Sequence, residues 1–409
     1  MTKQRLWIVS ELFYPEQTST GYFLTKIATG LAGRWDVHAV AAQPTYSERG
    51  IIAPRLENYE GVVIHRLFST RLDKDSLPLR LINFLTFSFS VLWFALRKFR
   101  RGDHLLLVTN PPLLIPLIAL VARIKGLKAS LLVHDVYPDV LSATGMLRED
   151  SFAYRVLAAF FRWSTSGFRQ LVVLGRDMQQ RVARNSRRPL HEVPIITNWA
   201  DVEEIQPIVP ADNPFTAELG LEDRVCIQFS GNIGRTHDVQ TLIEAVKHFR
   251  DDPRVRFLFI GYGGQANRLR DDIESFALSN AIFLDRQPRE RLAAMLACAT
   301  ATVIPFNTGM KGISVPSRMY NIMAAGTPII AMADADSELA LTVAENDAGW
   351  TLASGDATGL IAVIEELKTP EGLARRDAKG DNARQTVLRS YRLPTIIDRF
   401  DAHLGGEKL

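Results

Sequence analysis

The residues best suited to chemistry fall in two sets. One is His134-Asp135, which follows the apolar run 129–133 and precedes Val136-Tyr137-Pro138-Asp139. An open α/β sheet meets its ligands at the carboxyl ends of its strands, so an imidazole and a carboxyl there are candidate catalytic groups. Asp139 has a plainer use, opening a helix at Val140. The other set is cationic. Lys311 and Arg318 flank a polar loop that runs to Ser314 and leads through Pro316-Ser317 into a short helical run closed by Gly326 and Pro328. Free N–H groups and the positive end of a helix dipole, with two formal charges beside them, suit a diphosphate. Ser317 is the expected N-cap and Gly326 the expected left-handed terminator. A further phosphate-approach loop, Ser230-Gly231-Asn232-Ile233-Gly234-Arg235-Thr236-His237-Asp238, joins a predicted strand at 225–229 to a predicted helix at 239–249.

These groups need a scaffold that alternates strands and helices. Apolar runs at 6–10, 37–42, 62–67, 105–109, 129–133 and 171–174 predict strands in the first half. Runs at 225–229, 255–260, 281–284 and 303–305, and one starting at Ile329, repeat the pattern in the second. Helical spacing between them, as at 21–33 and 152–168, makes this an α/β chain with parallel sheets. Its 409 residues suffice for two domains of about 200 each. The expected division is 1–202 and 203–387, with Pro207, Pro210 and Pro214 marking the linker. The tail 391–404 is amphipathic, with Ile396, Ile397, Phe400 and Leu404 in register.

Charge is divided unevenly. Residues 1–200 hold 26 Lys and Arg against 15 Asp and Glu, a net +11, while the remainder is −8. A basic first half is expected to meet something anionic, and the stretch 81–96 favours a membrane surface over nucleic acid. That stretch has no charge, is shorter than the ~20 residues of a spanning helix, and ends in Arg97, Lys98, Arg100 and Arg101. A helix lying in the interface is expected, with Trp93 near the headgroups, the alternative being a helix pair buried inside the domain. Arg155, Arg162 and Arg169, at seven-residue spacing on roughly one helical face, either extend that basic surface or are merely solvated. Cys226 and Cys298 sit in apolar runs and are expected as buried free thiols of a reducing compartment. No Cys or His cluster suggests a metal site.

Pro316-Ser317-Arg318, Tyr320 and Met323-Ala324-Ala325-Gly326-Thr327-Pro328 resemble the donor-site signature of the family 4 glycosyltransferases. The likeness is closest to the bacterial branch that builds surface polysaccharides and O-antigens, including fucosamine transferases. It implies the GT-B fold: two Rossmann-like, doubly wound domains facing across a cleft, with a last helix, 388–409, crossing back to the first. It implies that Ser314, Val315, Pro316, Ser317, Arg318 and Lys311 hold a nucleotide diphosphate sugar, uridine-linked by analogy with that branch and carrying an N-acetyl-amino or deoxy sugar, together with Gly231, Asn232, Gly234, Arg235, His237, Gly261 and Arg286. The first donor loop is matched at Tyr14-Pro15-Glu16 and Gly21, although Gln17-Thr18-Ser19-Thr20 replaces the usual glycines. Two glutamates common in the family are Ile313 and Asn321 here, and the usual Arg and Lys of the 230–238 loop are Asn232 and His237. Asn321 retains an amide for ribose hydroxyls.

The resemblance implies a retaining, metal-independent hexosyl transfer with no cofactor, in which the acceptor hydroxyl attacks on the face of the leaving group. His134 would then contact the donor sugar. A double displacement through Asp135 or Glu16 is the alternative route. The implied acceptor is a polyprenyl-diphosphate-linked saccharide, which places the enzyme on the cytoplasmic face of the membrane. A sugar-nucleotide epimerase and a non-catalytic sugar-nucleotide-binding subunit are the competing readings. The sequence leaves the oligomeric state open.

Overall fold

The computed structural model describes residues 3–45, 51–73 and 76–407, so the outermost expected domain limits, residues 1 and 409, lie outside the described residues. The chain divides into two compact units. One comprises Met1–Thr197, Gly312–Ser314 and Pro394–Leu409; the other comprises Asn198–Lys311 and Val315–Leu393.

The first unit is built on strands β1 (Arg5–Val9), β2 (Asp36–Ala41), β3 (Leu56–Tyr59), β4 (Val62–Arg66), β5 (His104–Val108), β6 (Lys128–Leu132) and β7 (Gln170–Val172). They lie in the order β3-β4-β2-β1-β5-β6-β7. All pairings are parallel except that of β3 with β4. The central strands are buried along their length, as β5 is at every residue, because helices cover both faces. β3 was not expected. It is an edge strand of sequence LENY with no apolar alternation to betray it, paired through a two-residue turn whose Glu60 and Gly61 both have positive φ, 48° and 83°.

The second unit has β8 (Val225–Asn232), β9 (Val255–Tyr262), β10 (Ala281–Leu284), β11 (Ala301–Pro305), β12 (Ile329–Met332) and β13 (Gly349–Leu352), in the order β10-β9-β8-β11-β12-β13. Every pairing is parallel. Its core gathers Phe229, Phe257, Phe259, Val303 and Ile330 from the strands with Leu242, Val246 and Ile364 from the helices.

The terminal helix Leu393–Gly405 buries Ile396, Ile397, Phe400 and Leu404. It packs on the first unit. A Cβ on Gly30 would lie 2.7 Å from Ile397 Cδ1, so glycine lets the two helices meet. Arg34 reaches Asp398 at 2.7 Å and Asp401 at 2.9 Å, and Trp35 Nε1 donates to Asp401 at 2.7 Å.

Three local expectations are corrected. Gly231 and Asn232 belong to the end of β8 rather than to a loop, because β8 and β9 stay paired through Asn232↔Tyr262. Ser317 is itself helical, at φ −59° and ψ −24°, and its side chain does not cap the helix Arg318–Ala324. Arg155, Arg162 and Arg169 share no helical face, since that helix, Phe152–Thr165, ends before Arg169.

Candidate functional site

In the second unit the site is organised around Arg318. Gly231 and Gly261 face each other across β8 and β9. Gly261 has φ 145°, and a Cβ on it would overlap the Gly231 carbonyl, so only glycine allows these strands to run on together. A Cβ on Gly231 would in turn lie 3.3 Å from the Arg318 guanidinium carbon. The two glycines clear a floor for that cation. Arg318 donates to the carbonyl oxygens of Ser230 at 2.8 Å and Asn232 at 3.0 Å, and its plane lies 5.2 Å from the Phe229 ring centroid. No carboxylate pairs with it among the described residues. Burial pushes its pKa down to about 10, so it remains a cation at neutral pH whose charge is met by carbonyl dipoles rather than by a carboxylate.

His237 is buried beside it, with Nε2 3.4 Å from an Arg318 terminal nitrogen. Burial and the neighbouring cation push its pKa down to about 3. It is therefore neutral, and Nε2 faces Arg318 as an acceptor. Stacked on Phe306 with centroids 5.4 Å apart, it fixes the guanidinium from one side. The Asn232 side chain lies beside Gly234 and Gly263, where side chains would collide with it. Arg235 is exposed, and its carbonyl accepts from Asn307 at 2.8 Å. The exposed Arg286 lies 6.0 Å from the Tyr262 ring centroid. Val315 and Pro316 are buried, while Ser317 and Asn321 are half-buried. Lys311 differs from the expectation: its ammonium is engaged by Asp336, so it does not stand as a free charge. The helix starting at Arg318 has seven residues, and its Met319 N–H is already bonded to Pro316 O at 3.1 Å, so its dipole adds less than the sequence suggested.

The first unit gathers the other candidates. His134 and Asp135 follow β6, and both their main-chain N–H groups donate to Thr109 Oγ1, at 3.1 and 3.3 Å. Burial alone pushes His134 down to about 4 and Asp135 up to about 6. His134 Nε2 is buried without a partner among the described residues. Asp139 is not free for chemistry: it accepts from Arg181 at 2.6 Å and from Asn185 at 2.9 Å. Glu16 is buried, and its carboxylate accepts from Thr45 N at 2.5 Å, so it ties the segment after β2 to its own loop. Gly21 serves that loop too, since a Cβ there would meet Glu16 O at 2.9 Å. Ser314, half-buried, groups with this unit. Asp135 also lines a cavity of about 180 Å³ with Tyr137, Phe161, Arg162 and Asn185. That cavity was not foreseen, because its lining is drawn from distant stretches that share no spacing.

The apolar stretch expected at 81–96 is a longer helix, Leu77–Lys98. By length and composition its residues Pro78–Lys98 pass as a membrane span, but Phe87, Val91 and Ala95 are fully buried in the first unit. Its other face exposes Leu85, Phe89 and Trp93, by 45%, 64% and 59%. Arg97 lies 3.6 Å from the Trp93 ring centroid, and Lys98, Arg100 and Arg101 are exposed beside it.

A Rossmann-like unit that presents an uncompensated arginine at a glycine-cleared strand end fits diphosphate binding, and comparison supplies the family. Residues 214–386 match the family described as glycosyl transferases group 1. The chain is 31% identical to the probable glycosyltransferase WbjE of Pseudomonas aeruginosa over 367 residues, 89% of each chain. The chain belongs to the group 1 glycosyltransferases. It is also 25% identical to WcaI of Escherichia coli K12, a putative colanic acid biosynthesis glycosyl transferase, over 80% of this chain and 83% of that one. The structure of Anabaena HepE in complex with UDP and glucose superposes with a TM-score of 0.72 at 13% identity, covering 99% of this chain and 100% of that one. The fold is GT-B, and this group 1 enzyme is a glycosyltransferase.

Proposed function

We propose that the enzyme is a family 4, retaining glycosyltransferase that moves a sugar from a nucleotide diphosphate, uridine-linked, to a saccharide carried on a polyprenyl diphosphate. The observation that carries this is Arg318, a half-buried cation without a carboxylate partner among the described residues, held by carbonyls at a glycine-cleared strand end. An anionic diphosphate supplies the missing countercharge. HepE, of the same fold, was solved with UDP and glucose, which supports the choice of uridine. In the transfer, the bond from the acceptor oxygen to the anomeric carbon forms as the bond to the diphosphate oxygen breaks, on one face. The acceptor proton passes to that diphosphate oxygen. Arg318 meets the charge that develops on the leaving group. His134, neutral and with no partner for Nε2 among the described residues, is proposed to hydrogen-bond the donor sugar. With the Glu16 carboxylate already engaged by the Thr45 N–H, the direct route is preferred to a double displacement.

The test is a thermal-shift screen over nucleoside diphosphates with wild type and Arg318→Ala, since a ligand that binds the folded state raises Tm. UDP is expected to stabilise wild type and not the variant. Equal stabilisation of both would remove Arg318 from the site. Transfer is proposed to need no metal, so activity is expected to survive EDTA; its loss, restored by a divalent cation, would reassign the leaving-group charge to that ion.

The enzyme is further proposed to act at the inner face of the cytoplasmic membrane, docked by the exposed face of helix Leu77–Lys98 with its basic end on anionic lipid. Wild type should sediment with anionic liposomes. The variant with Arg97, Lys98, Arg100 and Arg101 changed to Gln should not, and equal sedimentation would exclude this docking face.

A further inference from the structure

Helix Phe152–Thr165 buries almost nothing: Ser164 is its one buried residue. Its outward side carries Phe152, Val156, Phe160 and Trp163, exposed by 76%, 49%, 42% and 49%. Its inward side does not close on the sheet. Between Ala158, Phe161 and Arg162 of this helix and a floor of Ile115, Leu131, Val133, Leu171 and Val182 lies the cavity of about 180 Å³. A surface helix ordinarily has one apolar side packed against a core. This one is apolar outward and borders a partly open, mainly apolar cavity inward. Apolar voids of ~150 Å³ take up a molecule the size of benzene, so this cavity can seat a branched five-carbon unit. The charge at its wall matches an anion. Arg162 Nε donates to Asn185 O at 3.0 Å, which fixes the guanidinium while no described residue bonds its terminal nitrogens. Arg155 is exposed on the same helix, and Arg123 lies 5.0 Å from the Trp163 ring centroid.

We propose that this cavity seats the hydrocarbon chain of the acceptor lipid at its first prenyl units, with Arg162 on the adjoining phosphate. The inference rests on the lipid-linked acceptor proposed above, and it names helix Phe152–Thr165 as the wall behind which the chain inserts. Asp135, at the strand-end wall of the same cavity, lies where the saccharide end of such a lipid would follow.

Two measurements on the full chain test it. In the first, a prenyl diphosphate with a benzophenone in its chain is photolysed with the protein in detergent, without donor. Adducts are expected on peptides from 152–165 and 176–186. Adducts confined to the helix Leu77–Lys98 would mean bilayer contact alone and would overturn the proposal. In the second, Ala158→Phe fills the cavity. Its kcat/KM for a saccharide on a long prenyl diphosphate is expected to fall roughly tenfold or more, with the same saccharide on a short alkyl diphosphate unaffected. An equal fall for both acceptors would make the cavity a sugar site, and no fall would leave it without a role; either overturns the proposal. Retained UDP stabilisation shows that the variant is folded. If wild type glycosylates neither acceptor, the transferase reading of the acceptor fails, while the photolabelling still decides the cavity.

Discussion

His134 and His237 occupy matching places, each just beyond the carboxyl end of a strand of its own sheet, and burial keeps both neutral, at about 4 and about 3. They part at Nε2. In His237 that nitrogen faces the Arg318 guanidinium at 3.4 Å, and the ring is stacked on Phe306. In His134 it is buried with no partner among the described residues. A buried polar atom left unpaired is costly, and it persists where a ligand will complete it. The contrast separates a histidine packed against another residue from one whose ring nitrogen is left open, which the proposed function assigns to the donor sugar. It also separates the units: the second offers a cation without a carboxylate partner among the described residues, and the first offers an unpaired imidazole, a protonatable carboxyl and a mainly apolar cavity.

The largest effect expected is from the residue His237 serves. Arg318→Ala removes the cation from both the ground state and the departing diphosphate, and kcat/KM should fall about 1000-fold. Lysine should restore little, because a point charge cannot reach the two carbonyls of Ser230 and Asn232 in the guanidinium's geometry. A variant that kept full UDP affinity by calorimetry would break the comparison at its root.

The histidines themselves sharpen it. His134→Ala should lower kcat about 100-fold and leave UDP affinity unchanged. His237→Ala should weaken UDP about fivefold through a loosened Arg318, with kcat at saturation nearly retained. The reverse pattern would exchange their roles. Stability provides a second axis on which they should agree. Each has a folded pKa well below its ordinary 6.5, so the unfolded chain binds a proton that the folded one excludes. Stability from each is complete above about 6.5 and is lost as pH falls through the window toward about 4 for His134 and about 3 for His237. Urea unfolding between pH 4 and 6.5 should show a slope shallower by about one proton in either variant. Asp135 acts with the opposite sign: its carboxyl is pushed up to about 6, so it opposes folding as pH rises from 3.8 to that value. An unchanged slope in both histidine variants would show that the rings are not desolvated as their burial requires.

Much of this was legible in residue types. The strands of both sheets follow apolar runs, and the terminal helix shows its buried residues at helical spacing because tertiary packing and local pattern agree there. β3 was hidden because an edge strand with one solvated side needs no apolar alternation. Arg318 could be named, but not its hold on carbonyls 86 and 88 residues away. His237 could be named as a candidate ligand group, but its inward packing between Phe229 and Phe306, against Arg318, could not be read. The cavity beneath helix Phe152–Thr165 left no mark, since stretches as far apart as Thr109 and Ser186 line it.

Lys311 yields the smallest expected effect and the finest test. In sequence it and Arg318 are equal partners beside one loop. In the fold they differ as the two histidines do, one committed and one not. Lys311 is paired with Asp336, and both side chains are well exposed, at 36% and 67%. Exposed pairs of this kind contribute about 0–1 kcal/mol, and the ammonium that makes one is not held toward a ligand. Lys311→Ala should therefore leave UDP affinity within about twofold and Tm nearly unchanged. A tenfold loss would mean that the nucleotide draws Lys311 away from Asp336 on binding, and Asp336→Asn would then tighten UDP by releasing the same cation. With neither effect, the electrostatic work of the second unit rests on Arg318, set by its carbonyls and by His237.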